Sequence, residues 1–382
     1  MIVVLLRILA QQMYLTQKPT KTKTFMVEKV HPVVFSHDFF DGHEQVVFCH
    51  DEETGLKAII GIHSTVLGPA LGGTRMWPYE SESAALWDVL RLSRGMTFKA
   101  SLAGLNLGGG KAVIIADSRK DKTPEMMRAF GRFVNSLSGK YITAEDVGIK
   151  EDDIRYVKEE TDFVTGIPTE MGGSGDPSPV TAYGVFVGIK AAARYKWGSE
   201  ELKGRKVLVQ GVGNVGLTLV KYLSEAGTEV WVQDVYPEKI REAEEKYNAR
   251  AYTGHFADAE VDIYSPCALG ATLNDETIPA LKCAIVAGAA NNQLADENRH
   301  SQMIQQRGIL YCPDFLINAG GLINVYSEIA HYDRAEALRR TENIYHTLLD
   351  VITLSEKTGI TTHQAAYLKA KERIENHKKI PV

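Results

Sequence analysis

Three charged residues stand where their type needs a reason. Lys111 closes LNLGGGK and opens KAVI, after three glycines whose bare backbone lets a small molecule approach closely. Lys99 comes late in Ser81–Lys99, three residues after Met96 and seven after Leu92. On a helix it shares a side with those apolar residues. Asp146 follows YITAE, past an apolar run and in a position suited to a cleft. Read singly, each has a bland alternative: a lysine snorkelling along the surface, or a turn or helix-capping aspartate. Read together, they suit oxidative deamination of an amino acid. That reaction needs a cation for the carboxylate, a base for the ammonium and for the water that attacks the imine, and a carboxylic group to shuttle protons. Two lysines in one cleft lower each other's pKa, so one can act as a neutral base near working pH.

A second constellation supplies an electron acceptor. KVLVQGVGNVG holds Gly211, Gly213 and Gly216 as G-x-G-x-x-G, after an apolar strand and at the opening of a helix, with Asn214 and Val215 inside the turn. The first glycine permits a tight turn, the second lets backbone approach a pyrophosphate, and the third lets helix and strand pack closely. The helix start offers free N–H groups and partial positive charge. The next strand, EVWVQ, leads into Asp234, which can bond ribose hydroxyls and would repel a 2′-phosphate, favouring NAD over NADP. Cys267 and Asn291 fall just past two further strand ends, where open parallel sheets bind ligands. Asn291 is the sharper candidate, since its amide can meet a carboxamide or ribose.

Other chemistries fit poorly. A phosphate-binding Walker loop requires glycine at 105 and a hydroxyl residue at 112, where Leu105 and Ala112 stand. HEQVVFCH around His43 misses the HExxH metalloprotease spacing, and no metal site is expected. A net charge of −5 speaks against a nucleic-acid partner. The apolar start Met1–Leu9 is broken by Arg7 and falls short of the roughly 18 residues of a membrane span. Cys49, Cys267, Cys283 and Cys312 form no CxxC pair, which fits reduced thiols in the cytoplasm.

The elements that must position these residues follow from periodicity. Val46–His63 reads as two strands around the turn Asp51–Gly55, Leu67–Tyr79 as a glycine- and proline-rich loop, and Ser81–Lys99 as a helix. Leu105–Gly110 reads as a glycine turn before a short strand, Ala112–Ala116; Pro124–Leu137 is a helix, and Tyr141–Asp146 a strand. Gly172–Pro179 is the linker candidate. Beyond it, strands and helices alternate, as in βαβ units on a parallel sheet. The chain from about Asn324 onward reads as helix that packs back on the first domain. A length of 382 residues calls for two domains. The expectation is an α/β protein: residues 36–175 and 340–382 as the catalytic domain, and 176–339 as a Rossmann-type doubly wound domain across a cleft. Residues 1–35 are expected to lie outside the fold.

GPALGGTRMWPY, MTFK, GLNLGGGK, YITAEDVG, GVGNVG, GAANNQL and INAGGLINV occur in the order found in the glutamate/leucine/phenylalanine/valine dehydrogenase superfamily. The chain resembles that family from about Phe40 onward, and its branched-chain branch more than its glutamate branch. The resemblance implies that Lys99 binds the substrate carboxylate with the backbone of Gly72 and Gly73. It implies that Lys111 activates water and polarises the carbonyl or imine, and that Asp146 transfers protons. It places Thr181 near the nicotinamide amide, Asn291 beside the cofactor, and Leu71, Ala144, Leu322 and Val325 around the side-chain pocket. It implies an NAD-dependent enzyme acting on branched-chain L-amino acids, assembled as a homo-octamer or other homo-oligomer. Valine or phenylalanine as the main substrate, and a non-catalytic dinucleotide sensor, are the alternatives. Leu322 stands where branched-chain members commonly carry a smaller valine; one methylene is worth only about 1–3 kcal/mol of discrimination.

Overall fold

A computed structural model describes residues 34–37, 39–329 and 333–378. The chain divides into two compact units, Met1–His37 and Asp38–Val382. In the first, a single 3-10 turn, Val34–Ser36, is described; the expected extension lies almost wholly outside the described residues. Everything below concerns the second unit.

The hairpin β1 (Gln45–Asp51) and β2 (Leu56–Ser64) forms where alternation predicts it, in antiparallel register from Gln45–Ile62 to Asp51–Leu56. Its turn is closed by Asp51, whose Oδ1 accepts from the backbone and hydroxyl of Thr54 at 2.9 and 2.8 Å. The predicted loop 67–79 is instead largely a strand, β3 (Ala70–Trp77). It lies between two parallel neighbours, and its glycines are what let them approach. A Cβ on Gly72 would sit 1.8 Å from the Gly110 carbonyl oxygen, and one on Gly73 2.3 Å from that of Glu145. Tertiary packing overrides the low strand propensity of glycine.

Helix α1 (Glu82–Leu102) starts at Ser81, whose hydroxyl accepts from Ala84 N–H at 3.1 Å, and buries Leu86, Val89, Leu90 and Phe98. The glycines before Lys111 are also not a turn. They open strand β4 (Gly108–Ile115). α1 packs directly on this strand, and a Cβ on Gly109 would meet Thr97 N at 2.1 Å. Lys111 is therefore in mid-strand. Helix α2 (Pro124–Ser136, capped by Thr123), strand β5 (Tyr141–Glu145) and helix α3 (Glu151–Lys158) follow. The five-stranded sheet has the order β1-β2-β4-β3-β5.

Helix α4 (Ser178–Trp197) begins inside the expected linker. It shows no amphipathic pattern because it is buried on most sides, with Gly184 and Gly188 set against Ile317. Next come β6 (Lys206–Gln210), α5 (Asn214–Glu225), β7 (Glu229–Gln233), α6 (Pro237–Tyr247), β8 (Arg250–Ala251), β9 (Ile263–Pro266), β10 (Ile285–Val286), α7 (Glu297–Gln306) and β11 (Leu310–Tyr311). They build a six-stranded, all-parallel sheet of order β11-β10-β9-β6-β7-β8, the doubly wound pattern expected.

Four helices close the chain: α8 (Asp314–Ile317), α9 (Gly320–Glu328), α10 (Arg334–Thr358) and α11 (Thr362–Lys378). α10 lies along α4, while α11 returns to α1, where Ser101 Oγ donates to the Ala370 carbonyl at 2.8 Å. Glu328, at the end of α9, accepts from Gly166 N–H at 2.9 Å, from Ser174 N–H at 2.8 Å and from the Ser174 hydroxyl. Among the described residues, no helix is long and apolar enough to cross a membrane.

Candidate active site

Between the two sheets lies a cleft of about 360 Å³. β4 delivers Lys111 to it, and the end of β5 delivers Asp146. Lys111 Nζ and Asp146 Oδ2 are 2.7 Å apart, with Lys111 buried. β3 runs between those strands, and Gly73 pairs with Ala144 there. A Cβ at Gly73 would come within 3.0 Å of Asp146 Cβ.

Asp146 has a second cation, Arg75 Nε at 3.3 Å. Arg75 also donates to Asp88 Oδ2 at 2.8 Å, where the Tyr79 hydroxyl donates at 2.7 Å; Asp88 Oδ1 receives Arg91 Nη2 at 3.0 Å. Burial alone would raise the Asp146 carboxyl. Lys111 and Arg75 outweigh it and hold the group down at about 2. Asp146 is thus ionised near neutral pH, a form that can accept a proton. Arg75, Asp88 and Arg91 escaped the sequence reading. Asp88 and Arg91 sit three apart on a helix, a spacing indistinguishable from a surface pair.

Lys99 enters from the last turns of α1, and its ammonium is lowered to about 8. Burial is the main cause; the charge of Lys111 adds to it, and Asp314 and Asp146 oppose it. The depression expected from Lys111 is present at Lys99, with desolvation the larger cause.

Leu71, Gly73, Ala144, Leu322, Val325, Thr181, Val215 and Asn291 line the same cleft. Gly72 does not; its carbonyl accepts the Tyr141 hydroxyl at 2.6 Å. Thr181 Oγ1 donates to the Pro177 carbonyl at 3.0 Å. Sequence reasoning missed Met96 as a wall, and it missed Asn318, whose Nδ2 donates to Asn291 Oδ1 at 2.8 Å and to the Ala289 carbonyl at 3.0 Å. The signal for Asn318 was its place in INAGG.

Gly211, Gly213, Asn214, Gly216, Asp234 and Cys267 gather around the start of α5, outside the walls of that cleft. Gly211 has φ +95°, and a Cβ on Gly216 would lie 1.9 Å from the Gly211 carbonyl oxygen. Gly213 has nothing within 4 Å of its would-be Cβ, so backbone there is open to a ligand. α5 carries no side-chain cap. An uncapped helix start behind a bare glycine suits a pyrophosphate, so the residues fit a dinucleotide. Asp234 closes the turn: Oδ2 accepts from Val212 N–H at 2.8 Å and Oδ1 from Tyr236 N–H at 3.0 Å. The Cys267 thiol is raised by burial and lies 3.5 Å from Ser265 Oγ, beneath the turn. Among the described residues, no group of three or more His, Cys, Asp or Glu side chains is placed to hold a metal ion.

A parallel nucleotide-binding sheet facing a cleft with two lysines, one of them buried, and a paired aspartate defines the class, an oxidoreductase of the amino-acid dehydrogenase type. Comparison with known proteins gives the family. Residues 43–163 match the Glu/Leu/Phe/Val dehydrogenase dimerisation domain, and residues 172–236 and 232–380 match the Glutamate/Leucine/Phenylalanine/Valine dehydrogenase domain. A leucine dehydrogenase from Bacillus cereus is 56% identical over 333 residues, 87% of this chain and 91% of the relative. An L-tryptophan dehydrogenase from Nostoc punctiforme is 52% identical over 339 residues, 88% of this chain and 95% of the relative. The crystal structure of L-tryptophan dehydrogenase from Nostoc punctiforme superposes with a TM-score of 0.79 at 50% identity, covering 89% of this chain and 98% of that one. The chain belongs to the glutamate/leucine/phenylalanine/valine dehydrogenase family.

Proposed function

We propose that the protein is a leucine dehydrogenase, catalysing reversible NAD-dependent oxidative deamination of L-leucine and other branched-chain L-amino acids to 2-oxo acids and ammonia. The observation that carries this reading is the Lys111–Asp146 pair, 2.7 Å apart in one cleft with Lys99 and the apolar residues Leu71, Met96, Ala144, Leu322 and Val325.

In this reading, Lys99 and the Gly73 backbone hold the substrate carboxylate, and the aliphatic side chain lies against the apolar walls. A nicotinamide held near Thr181 and Asn291 would supply the hydride acceptor for Cα. Lys111, having passed a proton to Asp146 across their contact, takes one from the water that adds to the imine carbon. Asp146 returns its proton to the departing nitrogen; its regenerated carboxylate then takes the hydroxyl proton as the carbonyl forms and ammonia leaves, and that proton passes to solvent. Asp146, ionised in the free enzyme, starts as the acceptor that this order requires. Thr181 and Asn291 face the cleft where they can meet a carboxamide. Asp234 beside the glycine turn supports NAD over NADP.

A second reading, an aromatic L-amino acid as main substrate, draws support from the relative named as an L-tryptophan dehydrogenase. We further infer a homo-oligomer, an octamer by analogy with the branched-chain branch, which the match to a dimerisation domain supports. Four cysteines free of disulfides, three of them buried, support a cytoplasmic setting. The test is stoichiometry. L-leucine and NAD⁺ should give NADH, 4-methyl-2-oxopentanoate and ammonia in equal amounts by mass spectrometry and ammonia assay. NADH without the oxo acid contradicts the reading.

A further inference from the structure

We propose that Asp314 is a positioning residue, a buried carboxylate that keeps Lys99 charged across the cleft and ties it to the loop carrying Asn291. This rests on the reading of Lys99 as the anchor for the substrate carboxylate.

Asp314 opens α8 directly after β11 and is only 6% exposed. Its carboxylate accepts two backbone donors, Phe315 N–H on Oδ1 at 2.9 Å and Gln293 N–H on Oδ2 at 3.3 Å. The second bond fastens a folded loop, because the fully buried Gln293 donates through Nε2 to the carbonyls of Gly288 and Ala290 at 2.8 and 3.0 Å. Asn291 lies within that loop. Neither backbone donor carries a full charge, and a buried carboxylate needs a cation as well.

Lys99 is a cation of the same cleft. Both residues line the cleft, and α8 packs against α1. Asp314 acts on Lys99 more strongly than any other charge, ahead of Lys111 on β4 and Asp146 after β5. On its other sides, Asp314 meets the buried phenols of Tyr311 on β11 and Tyr367 on α11. Glu297 on α7 and His363 on α11 share the cleft as a pair 3.5 Å apart. Burial drives Lys99 toward its neutral form, which cannot anchor a carboxylate. Asp314 opposes that, and it does so from the element that also sets the Asn291 loop.

The experiment is the pH dependence of KM for L-leucine at saturating NAD⁺, in the wild type and in Asp314→Asn, Asp314→Glu and Lys99→Met. Asparagine removes the charge and keeps one of the two acceptor oxygens, so one backbone donor loses its partner, an effect that does not vary with pH. The substitution should move the alkaline rise of KM down by about one pH unit, with KM near pH 8 raised about fivefold and kcat changed less. Asp314→Glu should restore the wild-type limb. Lys99→Met should raise KM at every pH and lack that limb. An Asp314→Asn profile that keeps the wild-type limb, or a KM raised equally at all pH values, overturns the inference while leaving the Lys99 anchor intact. Unchanged KM in Lys99→Met overturns the anchor, and the inference with it.

Discussion

At the scale of single residues, Lys111 and Lys99 make opposite predictions. Lys111 is paired, and in the proposed mechanism its work is proton transfer, a contribution of about 10²–10⁴ in rate. Lys111→Ala should lower kcat by at least about 10³ while NADH still binds in a fluorescence titration; an unchanged kcat removes Lys111 from its role. Lys99 is held at a stability cost. Its folded pKa of about 8 lies below the ordinary 10.5. Stability therefore falls as pH drops from about 10.5 to about 8 and stays lowered below that. Lys99→Met should raise Tm at pH 7 by about 1–3 °C while raising KM for the amino acid. A lower Tm would show that the ammonium is better solvated than its burial indicates. Asp146 has the opposite sign: held down at about 2, it stabilises the fold above about pH 4 and loses that contribution as pH falls toward about 2.

At the scale of elements, glycines decide what the sequence could show. GVGNVG announced its turn because strand, helix and Asp234 frame it locally. The glycines of β3 and β4 misled for a physical reason. Gly72, Gly73 and Gly109 serve close approach between neighbouring strands and helix α1, and nothing local distinguishes that from a loop. Helix α4 was silent because burial on most sides erased its periodicity. Lys99, Lys111 and Asp146 were legible through the chemistry they share. The Arg75–Asp88 network and Asp314 were not, because their partners are far apart in sequence or lie across the cleft. Gly73→Ala tests the close approach: the new methyl would push on the Glu145–Asp146 backbone, costing about 1–3 kcal/mol. Denaturant midpoint and kcat should fall together, and a fall in neither would show slack between β3 and β5. On the proposed preference for NAD, Asp234→Ser should relax cofactor choice by removing a charge that would disfavour a 2′-phosphate. Absence of any gain in NADP⁺ use would place that selectivity elsewhere.

At the scale of the whole molecule, two sheets of different construction face one cleft. The first presents Lys111 and Asp146 from its strands and Lys99 from a helix packed on it. The second sets Asn291 and Asp314 opposite them. The cleft's apolar walls come from both sides, Leu71 and Ala144 from one and Leu322 and Val325 from the other. Substrate choice therefore depends on how the two sides meet as well as on any one wall residue. The central claim is tested most directly by initial rates of NADH formation across a panel of L-amino acids at equal concentration. The account predicts fast rates with leucine, isoleucine and valine, little with phenylalanine or tryptophan, and none with glutamate. Highest activity on an aromatic amino acid or on glutamate, or no NADH with any member of the panel, would contradict it.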